Sequence, residues 1–150
     1  MTKNIVASAN IQNFGIKPYK ATKTEEYMNT KQLAHFQLIL EKWREQLQEE
    51  IKSTTNSLKN DENSYADPVD QASQLANRQI SLKNSDRARK LIRRINEALE
   101  EIKISSYGYC IDCGEEIGIL RLEARPIAIQ CVECKSIEEL REKQTGKQGE

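Results

Sequence analysis

The chain of 150 residues is long enough for one domain, or for one domain with an appendage. Charged residues make up 31% of the sequence and aromatic residues only 5%, a composition that suits exposed helices better than a compact globule. The formal net charge is zero, which argues against general binding to duplex DNA because such binding requires a basic surface.

The N-terminal segment, residues 1–28, is weakly patterned, and we expect it to pack on the globular part of the protein. Its first nine residues contain no apolar run long enough for a signal peptide, and no stretch of the chain approaches the length of a membrane span. We therefore expect a cytoplasmic protein without a membrane partner.

A long helix is predicted to begin at Asn29, because Asn is a favourable N-cap and Gln32 occupies the position of a capping-box partner. Apolar residues then recur mostly at spacings of three and four. They form a narrow stripe, the first apolar seam: Leu33, Phe36, Leu40, Trp43, Leu47, Ile51 and Leu58. So narrow a stripe is typical of a coiled coil. The single histidine, His35, is interpreted as a structural helix residue.

The polar stretch from Lys59 to Ala66 interrupts the pattern, which resumes after Pro68. The second apolar seam consists of Ile80, Ala88, Leu91, Ile92, Ile95, Leu99 and Ile102. Two seams joined by a short polar connector predict an antiparallel coiled-coil hairpin over residues 29–105, with arms about 45 Å long. The tip of this hairpin is expected at about residues 60–72.

Four cysteines, the only ones in the chain, form two Cys-x-x-Cys pairs: Cys110 with Cys113, and Cys131 with Cys134. Seventeen residues separate the pairs, which is the spacing of a four-cysteine zinc site. Such a site holds one structural zinc ion and leaves no coordination position for water, so metal-assisted hydrolysis is not expected. Two disulfides are the alternative, although cytoplasmic cysteine pairs are more often metal sites.

The cysteines delimit the C-terminal part of the chain. A zinc-finger domain is predicted for residues 106–134, after Tyr107-Gly108-Tyr109 ends the second arm. Residues 135–150 are predicted to form a C-terminal helix and tail, with the helix over Ser136–Lys143. The predicted fold is therefore mostly α: a long antiparallel coiled-coil hairpin, a small four-cysteine globular domain and a C-terminal helix.

Two carboxylates, Asp67 and Asp70, lie at the predicted start of the second arm. They have a purely structural interpretation, in which Asp67 is the N-cap, Pro68 occupies the first helical position and Asp70 lies favourably in the first turn. They also lie at the end of a projecting rod, which can deliver negative charge to a distant place. The two interpretations are compatible, because a cap fixes the orientation of its carboxylate.

Several sequence runs, in order and at specific spacings, carry a resemblance to a known family. They are Glu25-Glu26-Tyr27-Met28-Asn29, Gln32-Leu33-Ala34-His35-Phe36, Asp67-Pro68-Val69-Asp70, Asp86-Arg87, Arg89-Lys90-Leu91-Ile92, Tyr107-Gly108-Tyr109-Cys110, Gly114-Glu115-Glu116-Ile117-Gly118-Ile119, Arg121-Leu122-Glu123-Ala124-Arg125-Pro126, Cys131 and Cys134-Lys135. With these runs the chain resembles the DksA/TraR zinc-finger proteins from about residue 14 to residue 144.

The resemblance implies a cytoplasmic transcription regulator that binds RNA polymerase at its rim and inserts the coiled-coil tip into its secondary channel. Family members destabilise promoter open complexes and act with ppGpp in the stringent response, negatively at rRNA promoters and positively at some others. The family's acidic pair matches Asp67 and Asp70, and its small tip residue matches Ala72. We expect a monomer that is not an enzyme and does not bind DNA in a sequence-specific way.

The resemblance also implies a ppGpp-binding site between the protein and the polymerase rim, at Leu91, Arg94, Arg125 and Lys135. The sequence supports a basic surface there, because Arg87, Lys90 and Arg94 share one helix face and Arg binds phosphate in bidentate geometry. A solvated charged face is the alternative interpretation.

The sequence departs from the family pattern in three places. Arg94 replaces a common Lys, Gln71 replaces a basic residue, and residues 75–77 replace an acidic run.

Two further functions compete with this prediction. A zinc-finger module that binds nucleic acid directly is disfavoured by the zero net charge and by the lack of interleaved aromatic residues. A purely structural coiled-coil protein would bind its partner along the arms, and substitutions at the tip would then have no effect.

Overall fold

The computed structural model describes residues 14–60 and 67–146, so the first 13 residues, residues 61–66 of the predicted tip and the predicted tail from residue 147 onwards lie outside the described residues. Within these ranges the chain forms four helices: α1 (Thr30–Asn60), α2 (Pro68–Lys103), α3 (Ile119–Ala124) and α4 (Val132–Thr145). The same ranges contain no strand, only an isolated antiparallel bridge between Tyr109 and Glu116. None of the described helices is long and apolar enough to span a membrane.

The first helix starts where the sequence predicts. The Asn29 side chain accepts a hydrogen bond from the Gln32 N–H at 3.0 Å, and the Gln32 side chain accepts one from the Met28 N–H at 2.8 Å. In a standard capping box the second side chain accepts from the N–H of the N-cap residue itself. Here Gln32 accepts instead from the N–H of Met28, the residue before the N-cap. The hydrogen bond to Asn29 satisfies one of the N–H groups that the first turn leaves without a helical partner.

The second helix also has the predicted start. Asp67 has an extended backbone and its side chain accepts a hydrogen bond from the Val69 N–H at 3.2 Å. Pro68 is the first helical residue and Asp70 lies in the first turn. The capping interpretation of the two carboxylates is therefore confirmed.

The two long helices pack against each other as an antiparallel pair. Arg44 donates to the Asn96 side chain at 3.1 Å, while nearer the tip Thr54 and Ser81 line the same cavities. Towards the base the interface is apolar, and both arms contribute fully buried side chains such as Phe36, Leu47 and Ile95. Each such side chain contributes about 1.5–3 kcal/mol to stability. The predicted mostly α fold with two long helical arms is confirmed.

The second apolar seam does not extend to the tip as predicted. Ile80 is 55% exposed, and the residue of α2 nearest the tip that is buried is Ser85. At 3.6 residues per turn Ile80 lies about 80° around the helix from Ala88, whereas Ser81 lies only about 20° away. Ser81 therefore faces the other arm and Ile80 faces outwards, so including Ile80 in the seam was wrong.

The base of the hairpin is a small globular unit. Tyr107 is buried against Phe36, and its hydroxyl donates to the Pro126 carbonyl at 2.6 Å. The described part of the N-terminal segment contacts this unit, because the Tyr27 hydroxyl donates to the Gly108 carbonyl at 2.8 Å and accepts from the Gly118 N–H at 3.2 Å.

Two short elements of this globular unit differ from the sequence prediction. The helix α3 was not predicted, and α4 begins at Val132 rather than at Ser136.

Candidate functional site

The four cysteines converge at the base of the hairpin. Their Sγ atoms all lie within 4.8 Å of one another. Cys110 is followed by a tight turn, in which the Gly114 N–H donates to the Cys110 carbonyl at 2.9 Å. Cys131 is the N-cap of α4, where its Sγ accepts from the Cys134 N–H at 3.4 Å. A turn and a helix start thus each present two sulfur atoms to one point.

The separations of the sulfur atoms fit a zinc ion and exclude a disulfide. The Sγ atoms of Cys113 and Cys131 are 3.8 Å apart, and all four cysteines are free. A tetrahedron with zinc–sulfur bonds of about 2.3 Å has edges of about 3.8 Å, whereas a disulfide bond is only about 2.05 Å long. The four cysteines would complete the coordination of the ion and leave no position for water.

The electrostatics of the cluster also favour a cation. Backbone N–H groups of Cys131 and Cys113 stabilise the Cys110 thiolate and lower the pKa of this thiol to about 6. Hydrogen bonds with the thiols of Cys131 and Cys113 raise the pKa of Cys134. Without a metal the cluster therefore retains protons, because four thiolates at such distances repel one another. A divalent ion removes that repulsion, as expected of a structural zinc site.

The acidic pair lies far from this metal centre. Asp67, Asp70 and Ala72 are all exposed at the start of α2, whereas Cys110 follows the other end of the same helix. A helix of 36 residues is about 54 Å long, so the tip and the cysteines occupy opposite ends of the molecule. Among the described residues, neither carboxylate forms an ion pair.

The four residues that the resemblance associates with ppGpp come together. Leu91 and Arg94 of α2, Arg125 after α3 and Lys135 of α4 line one cavity of about 280 Å³, which we call the basic pocket. Arg121 also lines the basic pocket, and sequence reasoning did not single it out. Of the predicted basic face of α2, Arg94 lines this pocket, while Arg87 and Lys90 are exposed elsewhere on the helix.

Two of the charged side chains that line the basic pocket, Arg121 and Lys135, form hydrogen bonds within the protein. The Arg121 side chain donates through Nε to the Gln130 carbonyl at 2.9 Å. The Lys135 ammonium contacts Glu138 at 2.5 Å, and this hydrogen bond raises the pKa of Lys135. Three guanidinium groups and one ammonium group against one carboxylate make the pocket strongly positive, and it suits an anionic ligand such as a phosphate ester.

A buried polar cluster between α1 and the end of α3 was not predicted. Glu123, almost fully buried, accepts a hydrogen bond from the Tyr19 N–H at 3.0 Å and contacts His35 Nε2 at 2.5 Å. The interpretation of His35 as a structural residue agrees with this contact. Its partner lies 88 residues away in sequence, and no local pattern could have indicated the pairing.

Comparison with known proteins gives a consistent result over most of the chain. The family model described as the N-terminal domain of the DnaK suppressor protein DksA matches residues 32–102. The model described as the prokaryotic dksA/traR C4-type zinc finger matches residues 105–140. The second match covers the four cysteines and agrees with their geometry.

Similar curated proteins include the RNA polymerase-binding transcription factor DksA of Escherichia coli K12, which is 48% identical over 130 residues, 87% of this chain and 86% of the relative. The protein of the same name from Haemophilus influenzae is 46% identical over 87% of this chain and 90% of its own length. The solved structure of transcription factor DksA2 from Pseudomonas aeruginosa superimposes with a TM-score of 0.73 at 35% identity, covering 80% of this chain and 94% of the other. These relatives are named transcription factors, in agreement with the expectation that the chain is not an enzyme.

Proposed function

This chain belongs to the DksA/TraR zinc-finger family, and on that premise we propose that it regulates transcription by binding RNA polymerase directly. The relatives that support the proposal are named RNA polymerase-binding transcription factors. The observation that carries it is the acidic pair, two exposed carboxylates at one end of a helical rod with a cap that orients one of them.

The tip is the part of the molecule that we propose acts inside the polymerase. A pair of packed helices is about 20 Å wide, since each helix is about 10 Å across, and so passes through a channel that excludes a globular domain. We propose that the hairpin enters the secondary channel and brings Asp67 and Asp70 towards the catalytic magnesium, with Ala72 beside them. Negative charge there competes for the metal and for the basic groups around it, and so destabilises open complexes.

The basic pocket is the proposed site for ppGpp. Arg94, Arg125 and Lys135 lie around one cavity, and Leu91 supplies an apolar wall for the nucleoside. The two pyrophosphate groups of ppGpp would draw Lys135 away from Glu138, because they carry more negative charge than one carboxylate. We propose that the polymerase rim closes the open side of this pocket, so that ppGpp joins the two proteins and strengthens regulation in the stringent response.

The double substitution Asp67→Asn with Asp70→Asn tests the proposed role of the tip. Asn is as good an N-cap as Asp, so α2 keeps its start while both charges are lost. We expect binding to RNA polymerase to persist and inhibition of a ribosomal RNA promoter to disappear in transcription with purified components.

A matched control for the acidic pair is Glu139→Gln with Glu142→Gln, which removes two exposed charges from α4. This control should inhibit the promoter as the parent protein does. Normal inhibition by the Asp67/Asp70 variant would refute the proposed mechanism, and simultaneous loss of polymerase binding would assign the acidic pair to docking instead.

A further inference from the structure

The interface between the two arms changes character along its length. Between Phe36 and Leu47 on α1, and between Ala88 and Ile102 on α2, the arms pack through buried apolar side chains, and we call this the proximal section. Nearer the tip, residues 51–60 and 68–82 form the distal section. Within its described residues the distal section contains no fully buried side chain.

Two cavities replace the close-packed apolar core in the distal section. A cavity of about 560 Å³ separates the arms there, with Ser53, Thr54 and Ser57 on one side and Gln74, Asn77 and Ser81 on the other. Leu58 and Leu75 each add one apolar side chain to its lining. A second cavity of about 410 Å³ lies nearer the base and shares Thr54 and Ser81. Cavities of this size, with several hydroxyl and amide groups among their lining residues, offer water both room and hydrogen-bond partners.

The boundary between the two sections contains a carboxylate without a full set of partners. Glu50 Oε1 accepts from the Gln46 side chain at 3.0 Å, while the buried Glu50 Oε2 has no hydrogen-bond partner among the described residues. A cavity of about 30 Å³ beside it, lined also by Asn84 and Ser85, is large enough for one water molecule. The apolar packing thus ends at a layer that requires water.

The sequence of α1 weakens the helix beyond this layer. Ser53-Thr54-Thr55-Asn56-Ser57 is a run of poor helix formers. The hydroxyls of Thr54, Thr55 and Ser57 donate to the carbonyls four residues earlier, at 2.8–3.1 Å. Such bonds compete with the helical hydrogen bonds and bend helices.

We propose that the Glu50–Ser85 layer is a hydrated joint, beyond which the distal section opens locally while the proximal section and the metal centre stay folded. Opening requires little loss of buried apolar surface, because no side chain of the distal section is fully buried and cavities already separate its two arms. One consequence rests on the proposed function. A polymerase channel that contacts both arms would stabilise the closed hairpin and so fix the orientation of the acidic pair.

Hydrogen exchange on the full-length protein tests the joint without any partner. We expect amides of Thr54–Leu58 and Gln74–Ser81 to exchange at least ~10-fold faster than those of Phe36–Leu47 and Ala88–Leu99, since they exchange by local opening. Equal protection along both arms would overturn the proposal.

Glu50→Leu removes the carboxylate that needs water and extends the apolar interface by one layer. We expect this variant to slow exchange in the distal section by about 10-fold without changing it in the proximal section. Glu45→Leu makes the same chemical change at an exposed position of α1 that lines none of these cavities, and it should leave the exchange rates as they are. Unchanged distal exchange in Glu50→Leu would contradict the joint.

A second pair of variants repeats the comparison within α2. Gln74→Leu adds an apolar group to the distal cavity and should slow distal exchange. Gln79→Leu makes the same chemical change at an exposed position of the distal section that does not line that cavity, and it should not slow exchange. Equal effects of the two variants would also contradict the joint. These measurements need no polymerase, so the joint and the proposed function can fail separately.

Discussion

The basic pocket is assembled from single residues of different elements. Arg94 lies on α2, whereas Arg125 and Lys135 belong to the globular unit, so the three cations come from separate parts of the fold. Their convergence on one cavity agrees with the set that the sequence resemblance indicated. Composition and helical spacing suggested only the stretch on α2, because contacts between distant segments leave no periodic signal in the sequence.

The substitution Arg94→Ala tests ppGpp binding at that pocket. Removing one charge-assisted contact should weaken the effect of ppGpp on transcription about 10-fold or more, corresponding to about 1.5–3 kcal/mol. Regulation without ppGpp should remain close to that of the parent.

The control for Arg94 is Arg93→Ala, which removes an equal charge from an exposed position outside the pocket. Its response to ppGpp should match that of the parent protein. If both variants lose that response equally, the ligand recognises the general charge of α2 and not the pocket.

Among the elements, those with strong local signals were predictable. Asn29 and the Asp67-Pro68 pair indicated the starts of the two long helices, and their side-chain caps are present. The start of α4 was missed because its N-cap is a cysteine, which sequence reasoning had assigned only to the metal site. Ile80 was wrongly assigned to the second apolar seam. It is apolar and its spacing from the other seam residues is close to helical, although its side chain is exposed.

Contact between elements is tight where the N-terminal segment meets the start of the zinc finger. Gly108 has a φ of +95°, and an added Cβ would lie 2.9 Å from Met28 Cε and 3.0 Å from the Tyr27 hydroxyl. We expect Gly108→Ala to lower the free energy of unfolding by about 2–4 kcal/mol, combining backbone strain with overpacking.

Chemical denaturation of Gly108→Ala and Gly15→Ala separates these two contributions. Gly15 also has a positive φ, +67°, but an added Cβ there meets no atom within 4 Å. Its substitution should therefore cost only the strain, about 1 kcal/mol. If the two variants lose equal free energy of unfolding, the close contacts of an added Cβ at Gly108 with Met28 and Tyr27 do not contribute to the destabilisation.

For the whole molecule, we expect the metal site to stabilise the globular unit at the base of the hairpin. We expect one zinc ion per chain by metal analysis. Chelation should loosen residues 105–146, because metal binding is coupled to folding in such sites, while the proximal section stays helical. Protons compete with zinc for the thiolates, so release of the metal should become easier as the pH falls.

Loss of zinc should also separate Lys135 from the other residues that line the basic pocket, because Lys135 directly follows the ligand Cys134. Circular dichroism and hydrogen exchange before and after chelation measure both effects. Retention of full protection in residues 105–146 without metal would show that the finger folds unaided.

The N-terminal segment has a consequence for dissecting this protein into modules. The two family matches begin at residues 32 and 105, so both exclude Tyr19 and Tyr27. Yet Tyr19 bonds to Glu123, which also holds His35, and the Tyr27 hydroxyl bridges Gly108 and Gly118. A fragment or chimaera cut at the family boundaries would therefore separate the hairpin and the finger from the segment that joins them. We therefore expect the smallest transferable module to begin before residue 19.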